Sequence, residues 1–217
     1  MQNGVASETR RGGDKRRVRR ATISVLHKVE ALRDVSAGKK ILADLRNSIN
    51  RPLSGSIGTW GQIFSWLPEE VLGTGKDLSK EEQAIVATLQ LYALHQQSQI
   101  ASVVCWPPQK DGAEADIYRY RNMGTALRVL RSSADSTAAD RRFNAMIMAG
   151  TFSELTTHLR QLLKLLKAKS DTKVDYPQLA EDLFWFSVGT DAAEQVKIRW
   201  AREYYRDVNT KGDDDHE

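Results

Sequence analysis

Cations recurring at helical intervals are the chemically distinctive feature of this 217-residue chain. Arg121, Arg128 and Arg131 are separated by seven and three residues, and Arg160, Lys164 and Lys167 by four and three. Arg141 and Arg142 stand side by side next to Phe143. On a helix such intervals bring side chains to one face. A row of guanidinium and ammonium groups can follow a phosphate backbone without carrying sequence information. The same rows also suit a solvated face laced with salt bridges. Asp140 precedes Arg141, but adjacent helical residues do not face each other. Both readings stay open for every one of these cations.

Other chemistry finds less support. Gly73-Thr-Gly-Lys76 resembles the end of a phosphate-binding loop, but Glu70 stands where the first glycine belongs and Asp77 where Ser or Thr is needed. His27, His95, His158 and His216 are scattered, without His-x-x-x-His or Cys-x-x-Cys spacing. No preformed metal site or cofactor is expected. His95 and Cys105 would lie roughly 15 Å apart on one helix, too far for a nucleophile–base pair. His95 reads instead as a hydrogen-bonded core or interface residue. Glu181-Asp182 reads as an exposed helix turn, and the terminal Asp213-Asp-Asp-His-Glu217 as a solvated acidic tail. Trp185, Trp200, Tyr204 and Tyr205 could stack on bases, but their place on apolar stripes favours core packing. No catalytic residue is assigned.

The elements that must carry the cations follow from hydrophobic period. Met123, Ala126, Leu127 and Leu130 form one stripe opposite Arg121, Arg128 and Arg131, and Leu159, Leu162, Leu163 and Leu166 form another. Upstream, Ala21 to Asn50 reads as two helices broken near Ser36-Ala37-Gly38. Ile23, Leu26, His27 and Glu30 share a face of the first; Ile41, Leu42, Leu45 and Ile49 line the second. A loop with a short helical patch ends in Trp60, Phe64 and Trp66, and Pro68 suits the start of a small helix through Leu72. Ser79 and Glu82 make a capping box for a central buried helix running to about Cys105, stopped by Trp106-Pro107-Pro108. Thr151 with Glu154, Asp175 with Pro177, and Asp191 with Glu194 mark three later helix starts. Nothing alternates with period two. The chain reads as all-α: two packed helical lobes, 21–106 and 117–206, joined by a 107–116 linker, with a disordered basic arm over 1–20 and an acidic tail over 207–217.

Charge is concentrated at the ends. Residues 1–20 carry seven Lys/Arg against two acids, and 207–217 carry one Lys against five. The remainder is only mildly basic, so any nucleic-acid role must come from clustering rather than net charge. Hydrophobic residues make up 41% and charged residues 28%, as in soluble globular proteins. A single cysteine, Cys105, precludes an internal disulfide and fits a reducing cytoplasm. The basic N-terminus has no apolar segment after it, unlike a secretory signal. No run is apolar enough to span a bilayer.

Five blocks in order, GTALRVLRSS, DRRFNAMIMAG, LTTHLRQLLKLLK, VDYPQLAEDLFWF and VKIRWAREYYR, resemble the small subunit (CasB) of the type I-E CRISPR Cascade surveillance complex. LPEEVLGTG and ATLQLYALHQQSQ extend the resemblance, which covers about Ile23 to Arg206. The terminal arms and Val103 to Tyr120 fall outside the pattern. The resemblance implies a non-enzymatic helical protein present in two copies. Its implied partners are the CRISPR RNA, target DNA (both strands), the Cascade backbone and large subunits, and a second copy of itself. It would help hold the guide–target heteroduplex and the displaced strand, while base pairing supplies sequence. Arg121, Arg128, Arg131, Arg141, Arg142, Arg160 and Lys164 are the expected phosphate contacts, foremost the pairs Arg128–Arg131 and Arg141–Arg142. The alternatives are a stand-alone helix-turn-helix regulator reading duplex DNA and a helical scaffold whose arginines meet acidic proteins.

Overall fold

A computed structural model describes residues 16–49, 51–108, 121–132 and 136–206. The basic arm through residue 15, most of the 107–116 linker and the 207–217 tail lie outside the described residues. Nine α-helices occur among the described residues: α1 (Arg17–Leu32), α2 (Ser36–Asn47), α3 (Ile57–Ser65), α4 (Lys80–Gln96), α5 (Met123–Leu127), α6 (Ser136–Ile147), α7 (Phe152–Lys169), α8 (Tyr176–Val188) and α9 (Thr190–Tyr205). Short 3-10 turns cover Leu53–Ser56, Glu69–Val71 and Arg128–Ser132. The only β-type pairing there is one parallel bridge, Val104 to Val174. The described chain is all-α.

Helix α4 is buried on nearly all sides, from Glu82 to Gln96. A helix apolar around its circumference needs neighbours all round. It has them in α1, α2, α7 and α8. Its start is fixed as expected: Ser79 accepts from the Glu82 amide, and the Glu82 carboxylate accepts from the Ser79 amide. Helix α8 packs on α4, α1 and α9, while α9 covers α5 and α6 packs on α7. One apolar core therefore runs from Val18 to Tyr204.

Four boundaries differ from expectation. Helix α1 begins at Arg17, within the expected arm, and Val18 is fully buried. The arm's last arginines are ion-paired: Arg17 with Glu81, Arg19 with Asp175 at 3.9 Å and Arg20 with Glu70 at 3.9 Å. The buried face of α1 is Val18, Ala21, Thr22, Val25, Leu26 and Val29, leaving His27 exposed and Ile23 half-buried. The break before α2 falls at 33–35, so Ser36-Ala37-Gly38 is the first turn of α2.

Helix α4 ends at Gln96, not near Cys105. The buried Gln96 amide donates to the carbonyls of Gln99 (3.0 Å) and Ala101 (2.9 Å) and accepts from the Val103 amide (3.0 Å). Val103 and Cys105 then pair with Val174 through two 2.9 Å backbone bonds. Both sets of bonds compete with helix continuation. Finally, α9 starts at Thr190 with Gly189 as its N-cap, so Asp191 lies inside the first turn.

Candidate nucleic-acid interface

Helices α2 and α7 flank one edge of α4. Gln90 donates to Ser48 just past α2 (3.2 Å to the carbonyl), while Leu42 and Arg46 lie beside Gln96–Ile100, so α2 runs antiparallel to α4. Phe152 and Thr156 line one cavity with Gln83 and Ala87, while Lys167 Nζ donates to the Leu94 carbonyl at 3.4 Å, so α7 runs parallel to α4. Gln83, Ala87, Gln90 and Leu94 recur at helical spacing and floor the groove between these walls. Partway along it, a cavity of about 130 Å³ is lined by Ile49 from one wall and by Phe152, Thr156 and Arg160 from the other.

Cations border this groove. Arg160 donates to the Thr156 carbonyl (3.3 Å) and to Thr157 Oγ1 (2.8 Å), which fixes its stem against α7. Lys164, one turn on, is exposed. Burial holds Arg160 and Arg46 below the ordinary guanidinium value. Burial, and then the charge of Arg46, does the same to Lys167. Arg46 and Lys167 are thus close enough to feel each other's charge. The contacts made by Arg160 and Lys167 go to neutral oxygens. Asp44, on the other side of α2, is engaged by Lys40 (2.6 Å) and Thr59 (2.5 Å). Partly desolvated cations without carboxylates favour an arriving anion, because it restores what water no longer supplies.

The seven sequence-predicted residues do not come together. Arg160 and Lys164 border the groove. Arg141 and Arg142 are exposed on α6, turned away from the buried Phe143. Arg121 precedes α5, whose N-cap is Asn122, so it shares no helical stripe with Arg128 and Arg131. Its Nη1 lies 2.6 Å from Cys105 Sγ, lining a cavity of about 260 Å³ with Lys173 and Asp175. Arg128 is half-buried in the 3-10 turn that follows.

Arg131 is engaged inside the fold. Its Nε donates to Asp140 at 3.1 Å, and its guanidinium lies 5.6 Å from the Tyr204 ring centre and 4.9 Å from that of Tyr205. Asp140 also accepts from the Tyr204 hydroxyl at 2.9 Å, and Tyr204 stacks on Phe143 with ring centres 3.7 Å apart. The partner of Arg131 comes from the next helix, which spacing within one helix does not reveal.

Glu181-Asp182 is not an exposed turn. Asp182 is 1% exposed and accepts from Trp200 Nε1 (2.6 Å), Arg199 (3.0 Å) and Gln178 (3.0 Å). Burial pushes its carboxyl up to about 6. His95 is a core residue bonded through Nδ1 to the Tyr176 hydroxyl at 2.8 Å. Trp200 and Tyr204 are fully buried. Among the described residues no group of three His, Cys, Asp or Glu is placed to hold a metal, and no helix is long and apolar enough to cross a membrane.

Arg46 and Lys39 escaped the sequence reading. They lie seven apart on α2, but a pair that sparse gains meaning only beside α7.

The sequence profile of CRISPR-associated protein Cse2 matches residues 41–205, three quarters of the chain. The chain belongs to the Cse2 family. The crystal structure of CasB from Thermobifida fusca superposes with a TM-score of 0.66 at 23% identity, covering 88% of this chain and 98% of that one. CasB from M. ruber gives 0.56 at 20% identity (87% and 92%), and CasB from Thermus thermophilus 0.55 at 22% (85% and 97%). At these identities the solved structures establish the shared fold. No curated protein matches the chain. The resemblance to the small subunit of type I-E Cascade is thus borne out, and the Cse2 chain is a CRISPR-associated protein.

Proposed function

We propose that this Cse2 chain is a non-catalytic, cytoplasmic subunit of a type I-E Cascade complex that grips nucleic-acid backbone along the α2–α4–α7 groove. One arrangement carries the reading: Arg160 lines the cavity between α4 and α7, Arg46 lines the cleft farther along α2, Lys167 bonds the Leu94 carbonyl, all three are partly desolvated, and Lys164 is exposed one turn from Arg160. Such cations bind phosphates irrespective of base sequence, which suits a complex whose guide RNA does the reading. The groove steadies the guide–target heteroduplex and the displaced strand once the duplex is open. The Cascade backbone and large subunits and a second copy of the chain position it against the DNA. Arg141, Arg142 and Arg128 form a secondary set of phosphate contacts outside the groove, and Arg121 and Arg131 are structural.

The test is target release from the assembled complex. Replacing Arg46, Arg160, Lys164 and Lys167 by glutamine should speed dissociation of opened DNA at least roughly tenfold, equivalent to about 1.4 kcal/mol. Arg141→Gln/Arg142→Gln should have the smaller effect. Unchanged release from the groove variant refutes the assignment.

A further inference from the structure

A cleft of about 490 Å³ opens where α2 passes the C-terminal end of α4. That volume lies within the range of small-ligand sites, roughly 300–1,000 Å³. It lies farther along the same α2–α4 contact as the groove cavity: Leu42 and Arg46 line the cleft, and Ile49, just past α2, lines the cavity. Lys39 and Leu42 complete the α2 wall, and Gln97, Ser98, Gln99 and Ile100 form the other. The remaining cation there, Arg33, is already neutralised by Glu30 (3.0 Å) and Asp34 (3.6 Å).

Residues 97–100 look built rather than incidental. Ser98 holds a φ of 64°, the left-handed region that non-glycine residues seldom occupy. Such conformations persist where the surroundings over-determine them, and they gather at binding sites. Here the buried Gln96 side chain is the pin, bonding the backbone of Gln99, Ala101 and Val103. With those backbone groups bonded internally, the loop's own side chains border the cleft. Two are primary amides, each with donors and an acceptor. Ile100 is 95% exposed, a large apolar side chain left in water at the cleft's edge.

We propose that this cleft receives a nucleobase turned out of a strand whose backbone follows the groove. The inference rests on the groove reading and adds to it a site for something other than phosphate. Lys39 and Arg46 meet the phosphates flanking the extruded nucleotide. Gln97 and Gln99 hydrogen-bond the base edge, as amide side chains do. Leu42 and Ile100 cover its faces, in the way aliphatic wedges contact unstacked bases.

The experiment compares the full chain binding two labelled strands of equal length at low salt, one of thymidines and one of abasic sites. Parent protein should bind the abasic strand roughly five- to tenfold more weakly, the scale of one good base contact. Gln97→Ala/Gln99→Ala should abolish that difference while leaving abasic affinity and its salt dependence unchanged. Ile100→Ala, at a fully solvated position, should reduce the difference without affecting folding. Equal binding of the two strands by the parent overturns the base site and leaves the groove standing. Failure of both strands to bind overturns the groove reading, and this inference with it.

Discussion

What a guanidinium does depends on what occupies its donors and its faces. Arg131 has a carboxylate on Nε and two tyrosine rings beside its plane, so it acts as a strut joining the 128–132 turn, α6 and α9. Arg131→Gln should cost about 1–3 kcal/mol of stability, the scale of a charge-assisted hydrogen bond, and leave nucleic-acid affinity unchanged. A double-mutant cycle with Asp140→Asn, read by denaturant melts, should show strong coupling; additive effects would show that the pair contributes nothing jointly. Two buried titrating groups offer a second residue-scale check. Burial, reinforced by Lys167, lowers His95 from 6.5 to about 4, whereas burial raises Asp182 from 3.8 to about 6 despite Arg199. Between pH 4 and 6.5 the unfolded chain binds more protons at His95, so that residue's contribution is lost as pH falls. Between pH 3.8 and 6 the folded chain binds more at Asp182, so its contribution is lost as pH rises. The slopes oppose. Relative to the parent, His95→Gln should make stability decline from pH 4 to 6, and Asp182→Asn should make it climb, as read from urea midpoints. Parallel curves for all three would refute the assignment. The cations themselves were visible in the sequence, but not their partners: Asp140 reaches Arg131 from another helix, and Asp182 meets Trp200 only when α8 packs on α9.

At the scale of elements, side-chain caps fixed four of the nine helix starts among the described residues. Ser79, Thr151 and Asp175 each accept from the amide three residues on, as their spacing indicates. Ends set by tertiary contacts were less legible. Nothing near Gln96 announces that its side chain will bind three later backbone groups, or that Val103 and Cys105 will pair with Val174. Close helix approaches were equally silent. A Cβ on Gly124 would lie 1.9 Å from the Trp200 carbonyl oxygen, backbone that cannot swing aside. Gly124 thus lets α5 rest directly on α9, though in sequence it is only a gap within an apolar stripe. Gly124→Ala should cost about 1–3 kcal/mol, a fall in Tm of about 2–4 °C per kcal/mol for a chain this size. An unchanged melting temperature would mean the α5–α9 packing is looser than described.

For the whole molecule, the groove is a property no single helix possesses. The α7 row was legible because three cations repeat beside a leucine stripe. Its counterpart on α2 was not, since Lys39 and Arg46 acquire meaning only when antiparallel α2 and parallel α7 flank the same edge of α4. On the proposed function, a mildly basic fold would hold a polyanion through cations gathered along α2 and α7 rather than through net charge. The most direct test is the salt dependence of single-stranded DNA binding by the purified chain, measured on strands of unrelated sequence. Replacing Arg46, Arg160, Lys164 and Lys167 by glutamine should flatten the log–log slope by about 0.7 for each phosphate no longer neutralised, equally for every sequence, while Arg131→Gln leaves it unchanged. A slope untouched by the four substitutions, or an affinity that varies strongly with sequence, would contradict the account.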